Sequence, residues 1–325
     1  MTSSYRVVWK GPTNLASGIG IASREYVRAL RRQGVNTVVG AERSRSKMRK
    51  VLIYHYSPIT LNIRKERKHF KTIIINTVWE TTCIPKRWRR PINQADAVCV
   101  PSLQDKQTMR NSGIRIPYSS FLMASMPGCL LLILLIIKTN GYARNENGHW
   151  IRNRIQAYKA NLNIHRRTAP IQIITQYLNS KSLRSIYAKG HAFVLPTRGE
   201  GVGLPFLESM ASGVPIITTG WGGHMDFLTS NNSFLVHYKL RPPVIGMNRK
   251  SSISHQFRHL FAEKGQLWAE PDIGSLRKQM RKAYENPLLC KLKGERARRD
   301  ALHLSWDRAG FSLKKAIEKV IRIKK

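Results

Sequence analysis

The stretch that most restricts how this chain folds is residues 197–227, TRGEGVGLPFLESMASGVPIITTGWGGHMDF. It lies between a short apolar run at 192–195 and reads on through a helix into a β-branched run at 214–219, giving strand, glycine turn, helix, strand. Pro205 suits the first position of a helix, and Gly213 stands where a helix C-terminal glycine belongs. The opening of the chain repeats the unit. Residues 5–9 (YRVVW) form a strand, residues 11–20 a loop rich in Gly, Pro, Asn and Ser, and residues 21–32 a helix with Ile21, Tyr26, Val27 and Leu30 on one stripe. Gly34 ends that helix and residues 36–39 start the next strand. Further short strands fall at 51–54, 72–76, 97–100 and 171–175, with helices at 180–188, 276–285 and 313–323 and a surface loop at 241–254. Such alternation commits the chain to α/β architecture with parallel sheets.

The chemistry concentrates in the glycine turn. Residues 201–204 deliver backbone N–H groups at a helix N-terminus, which attracts a phosphate through hydrogen bonds and the helix dipole. Glu208 lies one turn into that helix, where a carboxylate can accept from two adjacent ribose hydroxyls. Glu200, on the loop before it, can meet hydroxyls of a sugar at the far end of a diphosphate. A second glycine turn at 220–223 permits close backbone approach on the pocket's other side. Taken singly, each feature reads as a glycine-rich turn with a solvated glutamate; the combination is what carries the chemistry.

The run E-G-x-G-L-P-x-x-E, then M-A-S-G-x-P-I-I-x-T, then G-G, resembles the E-x7-E signature of glycosyltransferase family 4. These are retaining enzymes with two facing Rossmann-like domains, the GT-B fold. Residues 17–21 (SGIGI) resemble that family's N-terminal glycine loop. Residues 77–85 (TVWETTCIP), 101–102 and 111–117 (NSGIRIP) resemble the end of its acceptor domain, and residues 268–272 (WAEPD) and 305–306 its closing helices. The resemblance implies domains at 1–118 and 119–304 and a closing helix at 305–325. It implies that Glu200 contacts the donor sugar and Glu208 the ribose. Gly203 and Leu204 would hold the diphosphate by their backbone, with Gly18 and Gly20 closing over it. It further implies a nucleotide-diphosphate sugar as donor substrate, no metal or other cofactor, and front-face attack in which the leaving diphosphate assists deprotonation. Glu80 ends a first-domain strand facing the expected acceptor, a glycan or lipid-linked molecule, and is the second candidate catalytic residue.

The chain departs from the family's pattern at one place. The family begins its second domain with a strand–turn–helix unit carrying a basic pair for the diphosphate; here residues 114–117 pass through YSSFLMASMPG to an apolar run at 130–137. That unit is expected to be missing, and the transferase to be weakened, with Arg198, Lys138 or Lys189 as substitute cations. Arg198 also reads as a structural loop residue. The run at 121–137 is broken by Pro127 and Gly128 and is short of the about 20 apolar residues a membrane span needs, so a buried parallel strand followed by a turn at 138–141 is expected.

Charge is the compositional outlier: 56 Lys and Arg against 18 Asp and Glu, a net +38. Residues 191–250 hold five basic and three acidic groups, so the excess lies outside the motif. No aromatic-and-basic RNP string or Cys/His finger spacing accompanies it, which sets nucleic acid aside. A basic surface suits peripheral contact with an anionic membrane, and Arg31–Arg32, Arg64–Lys65 and Arg89–Arg90 read as solvated pairs. Four scattered cysteines and no secretory leader suggest a cytoplasmic protein without disulfides. His55 could line the cleft, and His224 and Asp226 could fix the second glycine turn or touch a ligand. Two other readings stay open: a degenerate homologue that binds a nucleotide or partner, and a basic RNA- or membrane-binding module.

Overall fold

Strands form where β-branched runs are bounded by turns, and both faces of the first sheet are covered. In β4 (Thr72–Asn76) every residue is buried, as a central parallel strand requires. The computed structural model describes residues 5–15, 17–40, 48–120, 135–139, 147–162, 170–243, 259–261 and 263–323. The first sheet contains β1 (Tyr5–Lys10), β2 (Asn36–Val39), β3 (Arg49–Tyr54), β4, β5 (Ala97–Val100) and β6 (Tyr118–Ser120). All are parallel, in the order β2-β1-β3-β4-β5-β6. The order reverses between β1 and β3, a switch point of the kind that opens a crevice beyond the strands' carboxyl ends. α1 (Gly18–Arg32), α2 (Ile63–Glu66), α3 (Lys86–Asn93) and α4 (Leu103–Asn111) connect these strands.

Past β6 the parallel strands among the described residues fall into two pieces. β7 (Leu135–Lys138) pairs only with β8 (Ile171–Ile174) among the described residues, while β9 (Phe193–Leu195), β10 (Ile216–Thr219) and β11 (Ser233–Val236) form a three-stranded sheet in the order β11-β10-β9. An antiparallel ribbon joins β12 (Tyr238–Arg241) to β13 (Trp268–Pro271). The helices are α5 (Gly148–Asn161), α6 (Ser180–Lys189), α7 (Leu204–Ala211), α8 (Ile273–Glu285), α9 (Pro287–Ala301) and α10 (Trp306–Ile323).

Packing ties the two halves. α10 returns to the first half and lies on α1: a Cβ on Gly310 would come within 2.6 Å of the Ala29 Cβ, so only glycine allows this approach. Arg32 pairs with Asp307, and the Lys314 ammonium donates to the Gln33 carbonyl (3.1 Å). Trp306 meets Tyr26 edge-on at 5.4 Å. One apolar cluster runs from Trp9, Tyr26 and Leu30 through Leu313 and Ile317 to Phe206, Leu207 and Met210 of α7. A second fills the other face of the first sheet, and Phe261 from the far half stacks on Trp79 there (5.0 Å).

Several expectations need correction. Gly18 and Gly20 are not in a loop but in the first turn of α1, which Ser17 caps by accepting from the Gly20 N–H. Residues 268–271 are strand β13 rather than helix, with Asp272 capping α8. Arg241 ends β12; the expected surface loop beyond residue 243 lies outside the described residues up to 258. Residues 135–138 are a parallel strand, but not a buried one: Leu135 is 48% exposed. The reason is local, since α5 and α6 bring no fully buried side chain to this ribbon. The rest of the apolar run, 121–134, lies outside the described residues.

Candidate active site

The site is built at the junction of the two halves. Gly203 takes a left-handed conformation (φ +78°), and Leu204–Ala211 follows as α7 with Pro205 in its first turn and no side chain capping its N-terminus. The helix is anchored by Phe206, fully buried between Phe193 (5.8 Å, edge-on) and His224 (4.6 Å). Gly213, also left-handed (φ +67°), turns the chain into β10. This fixes Gly203 and Leu204 at a helix N-terminus and Glu208 one turn inside it.

Glu200 is held by its backbone: its carbonyl accepts from the Gly223 N–H at 2.8 Å. The glycines around it serve protein packing. A Cβ on Gly199 would lie 2.3 Å from the Glu80 carbonyl, one on Gly201 would lie 1.7 Å from Val78 Cγ2, and one on Gly223 would lie 1.8 Å from the Gly201 carbonyl and 2.8 Å from Ser102 Oγ. The second glycine turn therefore approaches Gly201 and Ser102 closely. That contact brings the loop after β4 and the start of α4 against the E-x7-E turn.

Glu80 and Glu200 meet across this junction. Burial raises Glu80 from 4.5 to about 7, against a hydrogen bond from its own backbone. Burial also raises Glu200 to about 7, with the Glu80 charge adding to it. Each therefore holds its proton well above the usual carboxylate range, and a charge on Glu80 disfavours one on Glu200. Two further carboxyls complete the junction. Asp105 is fully buried, accepting from the Trp79 N–H (2.7 Å) and the Ser102 hydroxyl (2.7 Å). Burial pushes it well above the ordinary carboxylate range, and the charges of Glu80 and Asp226 add to this. Asp226 accepts from the Leu103 N–H (2.7 Å), tying the second glycine turn to the N-terminus of α4. Among the described residues no group of three or more His, Cys, Asp or Glu side chains is placed to hold a metal.

The remaining candidates divide. Glu80 and Glu200 lie at the junction, and Gly203, Leu204 and Glu208 follow in the turn and helix that leave it. Gly18 and Gly20 lie in the first turn of α1; Gly18 faces open space, whereas a Cβ on Gly20 would strike the Leu15 carbonyl at 2.1 Å. His55 follows β3 at the switch point but is turned inward. It bonds Ser23 Oγ through Nδ1 (3.0 Å) and packs on Trp9, and burial lowers it to about 3. His224 fixes its turn through Nε2 and the Thr219 carbonyl (2.8 Å), and burial lowers it to about 4. Of the expected substitute cations, Arg198 is taken: it grips Glu270 through Nε (2.6 Å) and an Nη (2.7 Å) and lies over Trp268. Lys138 closes β7, where burial lowers its pKa, and Lys189 is exposed at the end of α6. Cys83, Cys99 and Cys290 are free thiols.

Two residues escaped the sequence reading. Asp105 was visible only as S-x-x-D at a helix start, a cap rather than a junction group. Tyr187 donates from its phenol to Glu208 Oε2 at 2.9 Å, a contact that requires knowing how α6 lies against α7.

Residues 152–241 match the family described as glycosyl transferases group 1. A sulfoquinovosyl transferase of Arabidopsis thaliana is 31% identical over 70 residues, which is 22% of this chain and 14% of that protein. The matched stretch thus spans about one seventh of that relative's length. Among solved structures, sucrose-phosphate synthase from Thermosynechococcus elongatus aligns over 98% of this chain and 100% of its own, with a TM-score of 0.67 and 12% identity. HepE from Anabaena, solved with UDP and glucose, aligns over 97% and 99%, with a TM-score of 0.63 and 8% identity. These are likenesses of fold along essentially the whole chain. The protein is accordingly an α/β chain of GT-B fold, in which residues 152–241 match the glycosyl transferases group 1 family.

Proposed function

We propose that this chain is a retaining glycosyltransferase that moves a hexose from a nucleotide-diphosphate sugar to a glycan or lipid-linked acceptor. The observation that carries the reading is the turn at 199–204. It joins Glu200, set against Glu80 of the first domain, to the uncapped N-terminus of α7 with Glu208 one turn inside. A diphosphate at that N-terminus would have its sugar toward Glu200 and Glu80 and its ribose toward Glu208. The leaving diphosphate then assists deprotonation of the acceptor, and no metal is required. HepE was solved with UDP and glucose, which favours a nucleotide-sugar donor here. A basic surface with Arg90 exposed on α3, and Arg89 half-buried beside it rather than solvated, suits a lipid-linked acceptor at an anionic membrane, approached from the cytoplasmic side. No described helix is long and apolar enough to cross a membrane.

The reading includes a weakened donor site. A doubly wound sheet has the order 3-2-1-4-5-6; without its first strand it would leave the pieces 3-2 and 4-5-6. Among the described residues the second half holds the pieces β8-β7 and β9-β10-β11, the arrangement that such a loss would leave; residues 121–134 lie outside the described residues. Two charge-assisted hydrogen bonds at about 1.5–3 kcal/mol each correspond to roughly 10²–10⁴ in donor affinity. The same observation favours, as second reading, a non-catalytic homologue that binds nucleotide weakly. Transfer and donor hydrolysis across a nucleotide-sugar panel, compared with Glu200→Ala, separate the two. Turnover abolished by the substitution supports the enzyme. Binding without turnover supports the homologue, and binding of no nucleotide sugar removes both.

A further inference from the structure

α6 brings no fully buried side chain to its neighbours, yet it reaches the E-x7-E helix at one point of chemistry: the Tyr187 phenol donates to Glu208 Oε2 at 2.9 Å. The contact is braced. The Tyr187 ring stands edge-on to Phe193 (5.6 Å), and Phe193 stands edge-on to Phe206 (5.8 Å), the residue beneath the Gly203 turn. The phenol therefore sits on the same aromatic stack that fixes the N-terminus of α7, and its position relative to the turn is set by packing rather than by a flexible side chain.

A carboxylate offers about four acceptor sites. Filling one of them on Oε2 from a fixed direction restrains rotation of the group and leaves Oε1 to accept from a ligand. A carboxylate so oriented can accept from two neighbouring hydroxyls held at a set spacing; one free to rotate can accept from a single hydroxyl in many poses. The bond also favours the ionised form of Glu208, which burial otherwise opposes. We propose that Tyr187 is the positioning residue that makes Glu208 selective for a ribose diol over a deoxyribose. The proposal rests on the nucleotide-sugar reading above, and assigns selectivity at its ribose end to a side chain outside the E-x7-E run.

The purely structural alternative is that Tyr187 and Glu208 only pin α6 to α7. Tyr187→Phe separates the two, because it keeps the ring on Phe193 and removes only the donor. The measurement is calorimetric binding of the 5′-diphosphates of uridine, guanosine and adenosine and of their 2′-deoxy counterparts. It is made on wild type, Tyr187→Phe, Glu208→Gln and the double variant, with thermal denaturation of each. The loss of one hydrogen bond to a charged group corresponds to about ten-fold or more in affinity. Expected is about a ten-fold weakening of the preferred ribonucleotide by Tyr187→Phe and less than about two-fold for its 2′-deoxy form. Little further loss should follow when Glu208→Gln is already present. Equal weakening of both forms by Tyr187→Phe, or a wild type that fails to distinguish them, overturns the proposal while leaving the nucleotide-sugar reading standing. A wild type that binds none of the diphosphates removes that reading and the proposal with it.

Discussion

Two glycines with the same backbone conformation bracket α7, and they provide an internal comparison. Gly203 (φ +78°) precedes the helix and Gly213 (φ +67°) follows it. Replacing either by alanine places a Cβ in the left-handed region, at about 1–2 kcal/mol. Only at Gly203 does that Cβ also collide, lying 2.4 Å from Phe206 Cδ2 and 2.8 Å from Cε2; at Gly213 the nearest atom is Arg298 Cδ at 3.8 Å, an ordinary contact. Phe206 is fully buried between Phe193 and His224 and has nowhere to swing. Overpacking of this kind costs about 1–3 kcal/mol more. Gly203→Ala should therefore destabilise the protein by about 2–5 kcal/mol and Gly213→Ala by about 1–2 kcal/mol. Urea unfolding followed by tryptophan fluorescence measures the difference. Gly203→Ala should also weaken nucleotide-sugar binding, because the displaced turn carries the N-terminus of α7, whereas Gly213→Ala should leave binding within about two-fold of wild type. Equal destabilisation by the two substitutions would refute the assignment of the extra cost to Phe206.

Other consequences follow from the junction. Glu80 and Glu200 are raised to about 7, so the folded state holds protons that the unfolded chain releases near 4.5; the associated stability is present on the acid side and lost as pH rises through 7. His55 and His224, lowered to about 3 and 4, act with the opposite sign, so the test is a difference. The Glu80→Gln/Glu200→Gln protein should gain about 5 kcal/mol, about 2.5 per carboxyl, relative to wild type between pH 5 and pH 8; a pH-independent difference would count against the pair. Arg198→Ala should cost only about 1 kcal/mol, because its bidentate bond to Glu270 is more than one-third exposed on both sides and screened by solvent. A ten-fold loss of nucleotide-sugar affinity in that variant would instead place Arg198 on the diphosphate. Asp226→Ala removes the acceptor for the Leu103 N–H and should loosen the two domains, seen as faster limited proteolysis. Asp226→Asn keeps an acceptor oxygen and should restore most of the protection.

Much of the fold is legible in the sequence because strand length and helix period are local properties. The runs at 5–9, 36–39, 72–76 and 97–100 became β1, β2, β4 and β5, and the Gly213 stop became a left-handed turn. The exceptions have physical causes as well. Pro91 inside α3 and the weakly apolar α4 disguise helices that neighbouring elements stabilise, and α5 buries no side chain whose period would mark it. The ribbon of β12 and β13 exists only because two distant segments pair. The site divides the same way. Spacing alone puts Glu208 one turn into a helix that begins beside Glu200, since helical geometry is set within one turn. It cannot say that Val78 and Ser102 press on the glycines, that Glu80 meets Glu200, or that Tyr187 holds Glu208. Those contacts join residues from different domains or helices, and tertiary packing determines which side chains lose water together. Burial in turn decides which carboxyls keep their protons near neutral pH.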